Sequence, residues 1–269
     1  MVSSSTSQEY SASRLGRFRS SRLIWPVLSL AALVLLWEVA ALVAAYAGKA
    51  RTFPGPSEVT ATMVREFRSG ALQMHVLATL GRVAVSFPIA MFLGSAIGIA
   101  LGRMKGVDRF FDSWLIFFLN LPALVVISLC YVWLGLTETA AIMAVAINKI
   151  PNVAVTVREG ARSLSRDLAE MAEVYNFGFW KTLRHVTLPQ LAPFLIAAAR
   201  GGLAIVWKIV LVVELLGRSN GVGYQLGIGF QLFDVAMILA YAIAFIIVVQ
   251  LIEIGILQPL ETRLNRWRR

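Results

Sequence analysis

Long apolar runs alternate with short polar breaks along this chain, and one polar stretch is far longer than the rest. Six runs are long enough to cross the roughly 30 Å hydrocarbon core of a bilayer as helices. They are Leu23–Ala47, Leu77–Leu101, Phe110–Leu134, Thr139–Val157, Leu191–Leu216 and Val235–Leu257. This pattern predicts an all-α polytopic membrane protein with about six transmembrane helices, because backbone polar groups in hydrocarbon must be satisfied internally. The fourth run is the shortest and holds Lys149 and Pro151. The long polar stretch, Arg158 to Gln190, falls between the fourth and fifth runs. On this reading residues 1–22 form a disordered tail, 23–257 the membrane domain with an aqueous insert at 158–190, and 258–269 a basic C-terminal tail. The first run is too long, and followed by too many others, to be only a cleaved signal peptide.

The insert is amphipathic. Leu164, Leu168, Met171, Ala172 and Tyr175 recur at the spacing of one helical face, while Arg166, Asp167, Glu170 and Glu173 fill much of the remainder. Asn176 and Gly178 can take the turn conformations that end a helix. Phe179, Trp180 and Leu183 open a second helical segment, which Leu188-Pro189 is expected to stop before the fifth span. Around the bend lies an apolar ridge of Met171, Tyr175, Phe177, Phe179 and Trp180. Amphipathicity alone fits two readings equally: the ridge packs on the chain's own spans, or it docks on a partner. Two shorter stretches lie outside the runs. Arg51 to Gly70 predicts a turn and a surface helix with Ser57 as N-cap and Val59, Met63 and Phe67 on one face. Gly217 to Asp234 is glycine-rich and predicts a turn with a re-entrant half-helix; its spacing and context differ from a dinucleotide fingerprint.

Composition strengthens the membrane assignment, with 58% hydrophobic and 15% charged residues and a mean hydropathy of +0.73. Charge gives orientation. Sixteen Lys and Arg lie on the side holding both termini, the insert and the break after Leu101, against six on the other. The positive-inside rule therefore puts both termini and the insert in the cytoplasm. The net charge of +10 reflects this topology and attraction to anionic lipid, not nucleic acid, since no aromatic-interleaved basic face is present. Cys130 is the only cysteine, and His75 and His185 fall on opposite sides, so no metal cluster is expected.

Charges inside the runs are the other candidates for function. Lys149 and Lys208 would each cost roughly 2.5–3.5 kcal/mol if presented to lipid. They are expected to face the bundle interior, a partner chain or a wet cavity, with Glu38 and Glu214 available to neutralise them. One reading makes them buried ion pairs that fix packing; the other makes Lys149, Lys208 and Glu214 a lining for an anion pathway. Asn120, Asn148 and Asn152 are explained equally by solute contact and by helix packing.

Glu170-Met171-Ala172, then Asn176, Trp180 and Leu188-Pro189, resembles the EAA loop of permease subunits in binding-protein-dependent ABC importers. Asn120-Leu121-Pro122-Ala123-Leu124, Trp133-Leu134-Gly135, Glu138 and Gly221-Val222-Gly223-Tyr224 resemble the sulfonate, taurine and nitrate branch. Asn176 stands where the family usually has glycine, and asparagine is the residue that best tolerates the left-handed backbone there. The resemblance implies a type I ABC importer permease in a bacterial cytoplasmic membrane, paired with a second permease chain, here expected to be a copy. It implies a cytoplasmic ATPase dimer that binds ATP, an extracytoplasmic solute-binding protein, and a small organic solute, anionic if sulfonate-like. ATPase coupling would fall to Glu170, Met171, Ala172, Val174, Tyr175, Asn176, Phe177 and Trp180. No cofactor is expected in this chain, which has no GxxxxGK[ST] loop of its own. The alternative, a channel or secondary carrier working without an ATPase, would be expected to show internal repeats or paired broken helices. A membrane enzyme would need a convergent set of catalytic groups at one face.

Overall fold

The apolar runs fold as helices, and no strand occurs among the described residues of this computed structural model, which are Trp25, 28–48 and 52–259. In chain order the helices are α1 (Leu28–Tyr46), α2 (Pro56–Arg68), α3 (Ala71–Arg103), α4 (Lys105–Asn120), α5 (Ala123–Leu134), α6 (Glu138–Arg162), α7 (Arg166–Val174), α8 (Phe179–Thr182), α9 (Leu188–Gly217), α10 (Val222–Gln231) and α11 (Val235–Ile252). The tail expected at 1–22 and residues 260–269 of the C-terminal tail lie outside the described residues.

Three boundaries differ from the expectation. The third run is not one straight span: α4 and α5 meet at 93°. The cause is local. Proline disfavours helical backbone in the residue before it, and Leu121, before Pro122, is extended with φ −66° and ψ 126°. The fourth span is longer than expected, running to Arg162, so the insert begins at Ser163. Arg158 and Arg162 thus belong to α6, where they pair with Asp108 and Asp112 of α4. Leu188-Pro189 does not stop the second insert helix. A π-helical turn over Leu183–Thr187 joins α8 to α9, and the Leu188 N–H donates to the Leu183 carbonyl, five residues back. The wider turn absorbs the register around Pro189, which has no N–H to give. A smaller correction concerns α2: its N-cap is Gly55, Pro56 follows at the first helical turn, and Ser57 lies inside the helix without capping it.

Packing is densest where α3 crosses α6, and glycine makes that crossing possible. Gly94, Gly98 and Gly102 recur every fourth residue, so they share one face of α3. A Cβ on Gly98 would stand 2.7 Å from the Ala154 carbonyl oxygen, and one on Gly94 2.9 Å from that of Ile150. Small residues of this kind let membrane helices approach backbone to backbone. Gly160 makes room for the Phe194 side chain of α9, where a Cβ would stand 2.5 Å from the ring. The apolar core between α3, α6, α9 and α11 includes Val145, Val206, Val210, Val213 and Tyr241. In contrast, α1 buries little of its surface; Trp37 Nε1 donates to the Pro54 carbonyl at 3.1 Å. The half-helix expected after Gly217 forms as α10, seated against α9, α11 and α3.

Replacing Gly98 with Leu is expected to separate α3 from α6, with loss of monodisperse protein and a lowered melting temperature in detergent. Gly81, on the same helix with open space around it, should accept Ala with unchanged or slightly raised stability. Equal behaviour of the two variants would contradict the crossing described.

Candidate functional site

The polar insert is short, ordered and turned outward. Ser165 caps α7 by accepting the Leu168 N–H, and its own N–H donates to Gln190 Oε1 at 2.9 Å, tying the start of the insert to α9. At the other end of α7 the chain reverses through a Schellman motif. Asn176 is left-handed with φ 52°. The Phe177 N–H reaches the Ala172 carbonyl at 2.8 Å and the Asn176 N–H the Glu173 carbonyl at 2.9 Å. The left-handed bend expected at Asn176 is therefore present. Lys181 lies over the half-buried Phe177 ring with Nζ 4.2 Å from its centroid. Phe179 and Trp180 stack edge to face.

Of the insert's apolar residues, Ala172 is buried, seating α7 near the π-helical turn where Val186 and Thr187 are also buried. Its neighbours do the opposite. Val174, Tyr175 and Trp180 are 77%, 70% and 78% exposed, and Met171 and Phe179 are exposed with them. The ridge does not pack on this chain's own spans. Glu170 is exposed on α7, 2.9 Å from Arg166 in an i,i+4 ion pair. Such a surface pair is weak and easily exchanged for another partner.

A second polar assembly closes the opposite end of the bundle. Arg82 of α3 forks onto Glu138 at the start of α6, with Nε and Nη2 donating at 2.9 and 2.7 Å. Its Nη1 donates to Glu214 of α9 at 2.5 Å and to the Asn220 carbonyl at 2.9 Å. Glu214 is 0% exposed. Its other oxygen accepts from Thr79 Oγ1 at 2.9 Å and from the Gly223 N–H at 2.8 Å. Gly221, with φ 112°, brings the chain close enough for its N–H to donate to His75 Nδ1 at 3.1 Å. Arg218 completes the group by pairing with Glu138 at 2.5 Å.

The proposed pathway residues therefore separate. Glu214 does not balance either lysine, because its carboxylate is consumed by Arg82, Thr79 and Gly223. Glu38 does not either; it lies against Gly55 in the turn after α1. Lys149 is buried, 3% exposed, and no carboxylate among the described residues lies within pairing distance of it. Its side chain runs over Gly202 of α9, where a Cβ would collide with it. Lys208, in contrast, is exposed on the surface of α9 rather than facing this chain's interior. Asn120, Asn148 and Asn152 each donate to the carbonyl four residues back on their own helix, a bond that favours neither solute contact nor packing between helices.

A family model described as the inner membrane component of binding-protein-dependent transport systems matches residues 88–257. The chain belongs to that family. It is similar to SsuC of Bacillus subtilis, a permease protein named for aliphatic sulfonates transport, at 29% identity over 88% of this chain and 85% of that one. The taurine transport system permease protein TauC of Escherichia coli is 25% identical over 75% of this chain and 73% of its own. The riboflavin transport system permease protein RibX of Chloroflexus aurantiacus is 27% identical, covering 93% and 94%. Among solved structures, an inward-facing form of the MetNI methionine ABC transporter shares the fold, with a TM-score of 0.62, 20% identity, and coverage of 75% of this chain and 99% of that one. The expected type I importer permease fold, and the resemblance to the sulfonate and taurine branch, are borne out. The protein is a permease component rather than an enzyme.

For this permease, the Arg82 assembly is what sequence reasoning missed. Arg82 stands five residues inside an apolar run, which is itself a demand for a carboxylate partner. Its partners, Glu138 and Glu214, are 56 and 132 residues away. Replacing Arg82 with Met should leave Glu214 buried and uncompensated, lowering stability by about 3–5 kcal/mol in denaturation followed in detergent. A variant as stable as the parent would show that the pair contributes nothing to the fold.

Proposed function

We propose that the α7–α8 hairpin is the coupling element through which a cytoplasmic ATPase drives this permease. The reading rests on one observation: a ridge of Met171, Val174, Tyr175, Phe179 and Trp180 is exposed on a hairpin whose backbone is capped at both turns. Exposed aromatic patches on an ordered scaffold are the expected form of a protein interface. Glu170 offers the ATPase a carboxylate, Met171, Val174, Tyr175 and Phe177 fill its cleft, Trp180 flanks them, and Asn176 sets the bend. Ala172 contributes from behind, by holding α7 on the π-helical turn. Because α8 continues through that turn into α9, a push on the hairpin is transmitted along one 39-residue helix. ATP is bound and hydrolysed by the ATPase, and this chain supplies the moving wall.

The transporter so formed contains two permease chains, as a homodimer, two ATPase subunits, and a solute-binding protein on the outer side. Both termini and the hairpin face the cytoplasm of a bacterial cell, in line with the sixteen-to-six division of basic residues. The solute is a small organic molecule, anionic as in the sulfonate and taurine relatives. Lys149 is the group that favours an anion, since a buried ammonium without a carboxylate is stabilised by whatever negative charge passes it. Lys208, exposed on α9, faces the partner permease or the pathway between the two chains.

Uptake into whole cells tests both parts. Glu170→Lys and Tyr175→Asp should abolish uptake and weaken ATPase co-purification while membrane insertion stays normal. Lys149→Met should leave ATPase binding intact and weaken solute affinity. Full transport by both hairpin variants rejects the coupling role, and unchanged affinity in Lys149→Met rejects the pathway role.

A further inference from the structure

One face of α6 stays polar through the middle of the bundle. Asn148, Lys149, Asn152 and Thr156 fall within roughly 100° of arc on a helix of about 3.6 residues per turn, near the midpoint of Glu138–Arg162. The arc is turned away from α3, which meets α6 at Val153, Val157 and Ala161. Asn148, Asn152 and Thr156 are accordingly half-buried, open on one side. Amides and an ammonium at this depth face a partner chain or water rather than hydrocarbon.

The arc has unused hydrogen-bonding capacity. Each asparagine spends one amide N–H on the carbonyl four residues back, and Thr156 spends its hydroxyl hydrogen the same way. One N–H and the amide oxygen of each asparagine are left without a partner among the described residues. Lys149 makes no hydrogen bond or ion pair among them either. Its Nζ is nevertheless not enclosed, since the enclosed side-chain polar atoms without a partner there are Gln73 Oε1, Arg158 Nε and Arg218 Nε. The stem of Lys149 is buried against Gly202 of α9, and the tip reaches open space. Beside Gly202, Gly201 is exposed, with no atom within 4 Å of where a Cβ would stand. Glu159, further along the same face, is held by Arg162 at 2.9 Å and Arg158 at 3.5 Å. The arc thus offers a cation without a counter-ion, flanked by amide and hydroxyl groups. That set matches a compact anion that also carries hydrogen-bonding atoms. A second copy packed dry on this face brings asparagine to asparagine, but also a second ammonium and no carboxylate.

We propose that this arc is the wetted, specificity-determining wall of the solute pathway, with Lys149 taking the solute's anionic group and Asn148, Asn152 and Thr156 its hydrogen-bonding atoms. The proposal rests on the pathway role given to Lys149 above and adds the residues that choose among anions. Small sulfonates or carboxylates with a polar substituent fit the arc; a cation does not.

Single cysteines at Asn148, Asn152 or Thr156 are placed in the transporter assembled with its ATPase, in membrane vesicles of both orientations. Two membrane-impermeant methanethiosulfonates are the probes, one bearing a sulfonate and one a trimethylammonium group. Each rate is divided by that for free mercaptoethanol, and the unsubstituted chain, whose Cys130 is buried, supplies the blank. All three thiols should react, with the sulfonate reagent favoured roughly tenfold. Lys149→Met and Lys149→Gln should each erase that preference while the thiols stay reactive. Asn148→Leu with Asn152→Leu should slow both reagents at Thr156→Cys, and unchanged rates there would take the amides out of the wall and overturn the assignment. No reaction from either side marks a face sealed by lipid or a second copy, and the proposal fails. It fails too if the preference survives both Lys149 variants. Equal rates for the two reagents, with solute affinity weakened in Lys149→Met, sink the proposal alone. Unchanged affinity in that variant, with the charge preference lost, sinks the pathway role beneath it.

Discussion

The Arg82–Glu214 ion pair is the constraint around which the rest of the bundle is arranged. Neither charge can be left alone in a low-dielectric interior, and together they reach Glu138, Thr79, Asn220 and the Gly223 backbone. Four segments are thereby fixed at one end: α3, the start of α6, the end of α9 and the turn into α10. The glycine crossing of α3 on α6 then sets how close these helices run, and at the hairpin end Arg158 and Arg162 clamp α6 to α4 through two aspartates. With both ends held by charge and the middle by close packing, the bundle is a stiff object. A stiff object moves when pushed at one point.

On the proposed coupling role, that point is the hairpin. Both ends of α7 are capped, buried Ala172 anchors it, and Met171, Val174, Tyr175, Phe179 and Trp180 face outward. Ala172 and Met171 are adjacent in sequence, yet one seats the helix and the other is presented to solvent. The π-helical turn at Leu183–Thr187 lets a chain containing Leu188-Pro189 stay helical from α8 into α9. On the proposed coupling role, motion at Trp180 would pass along α9 to Gly202, beside Lys149, and on to Glu214 at the far end.

Much of this is legible in the sequence. Hydropathy identifies the membrane class, because a soluble domain seldom contains several uninterrupted apolar runs of about twenty residues. The 3.6-residue period identifies α7, and Asn176 marks its end because few side chains accept a left-handed backbone. What cannot be read depends on contacts distant in sequence or on small backbone adjustments. Hydropathy does not register the turn at Leu121-Pro122, since both flanking helices are apolar. Pro189 ordinarily would end α8, but a widened turn absorbs it. Periodicity gives the face of a helix but not its rotation against neighbours, so it cannot decide whether the ridge turns inward or outward. Glu214 reads as a partner for a lysine only while Arg82, on another helix, is left out of account.

Accessibility of the ridge with and without its motor tests the central claim most directly. Val174→Cys places a single reactive thiol there, since Cys130 is buried. In inverted membrane vesicles, a membrane-impermeant maleimide should label this thiol rapidly when the permease is alone and slowly once the ATPase is bound. Equal labelling in both states, or no labelling of the permease alone, would contradict the account.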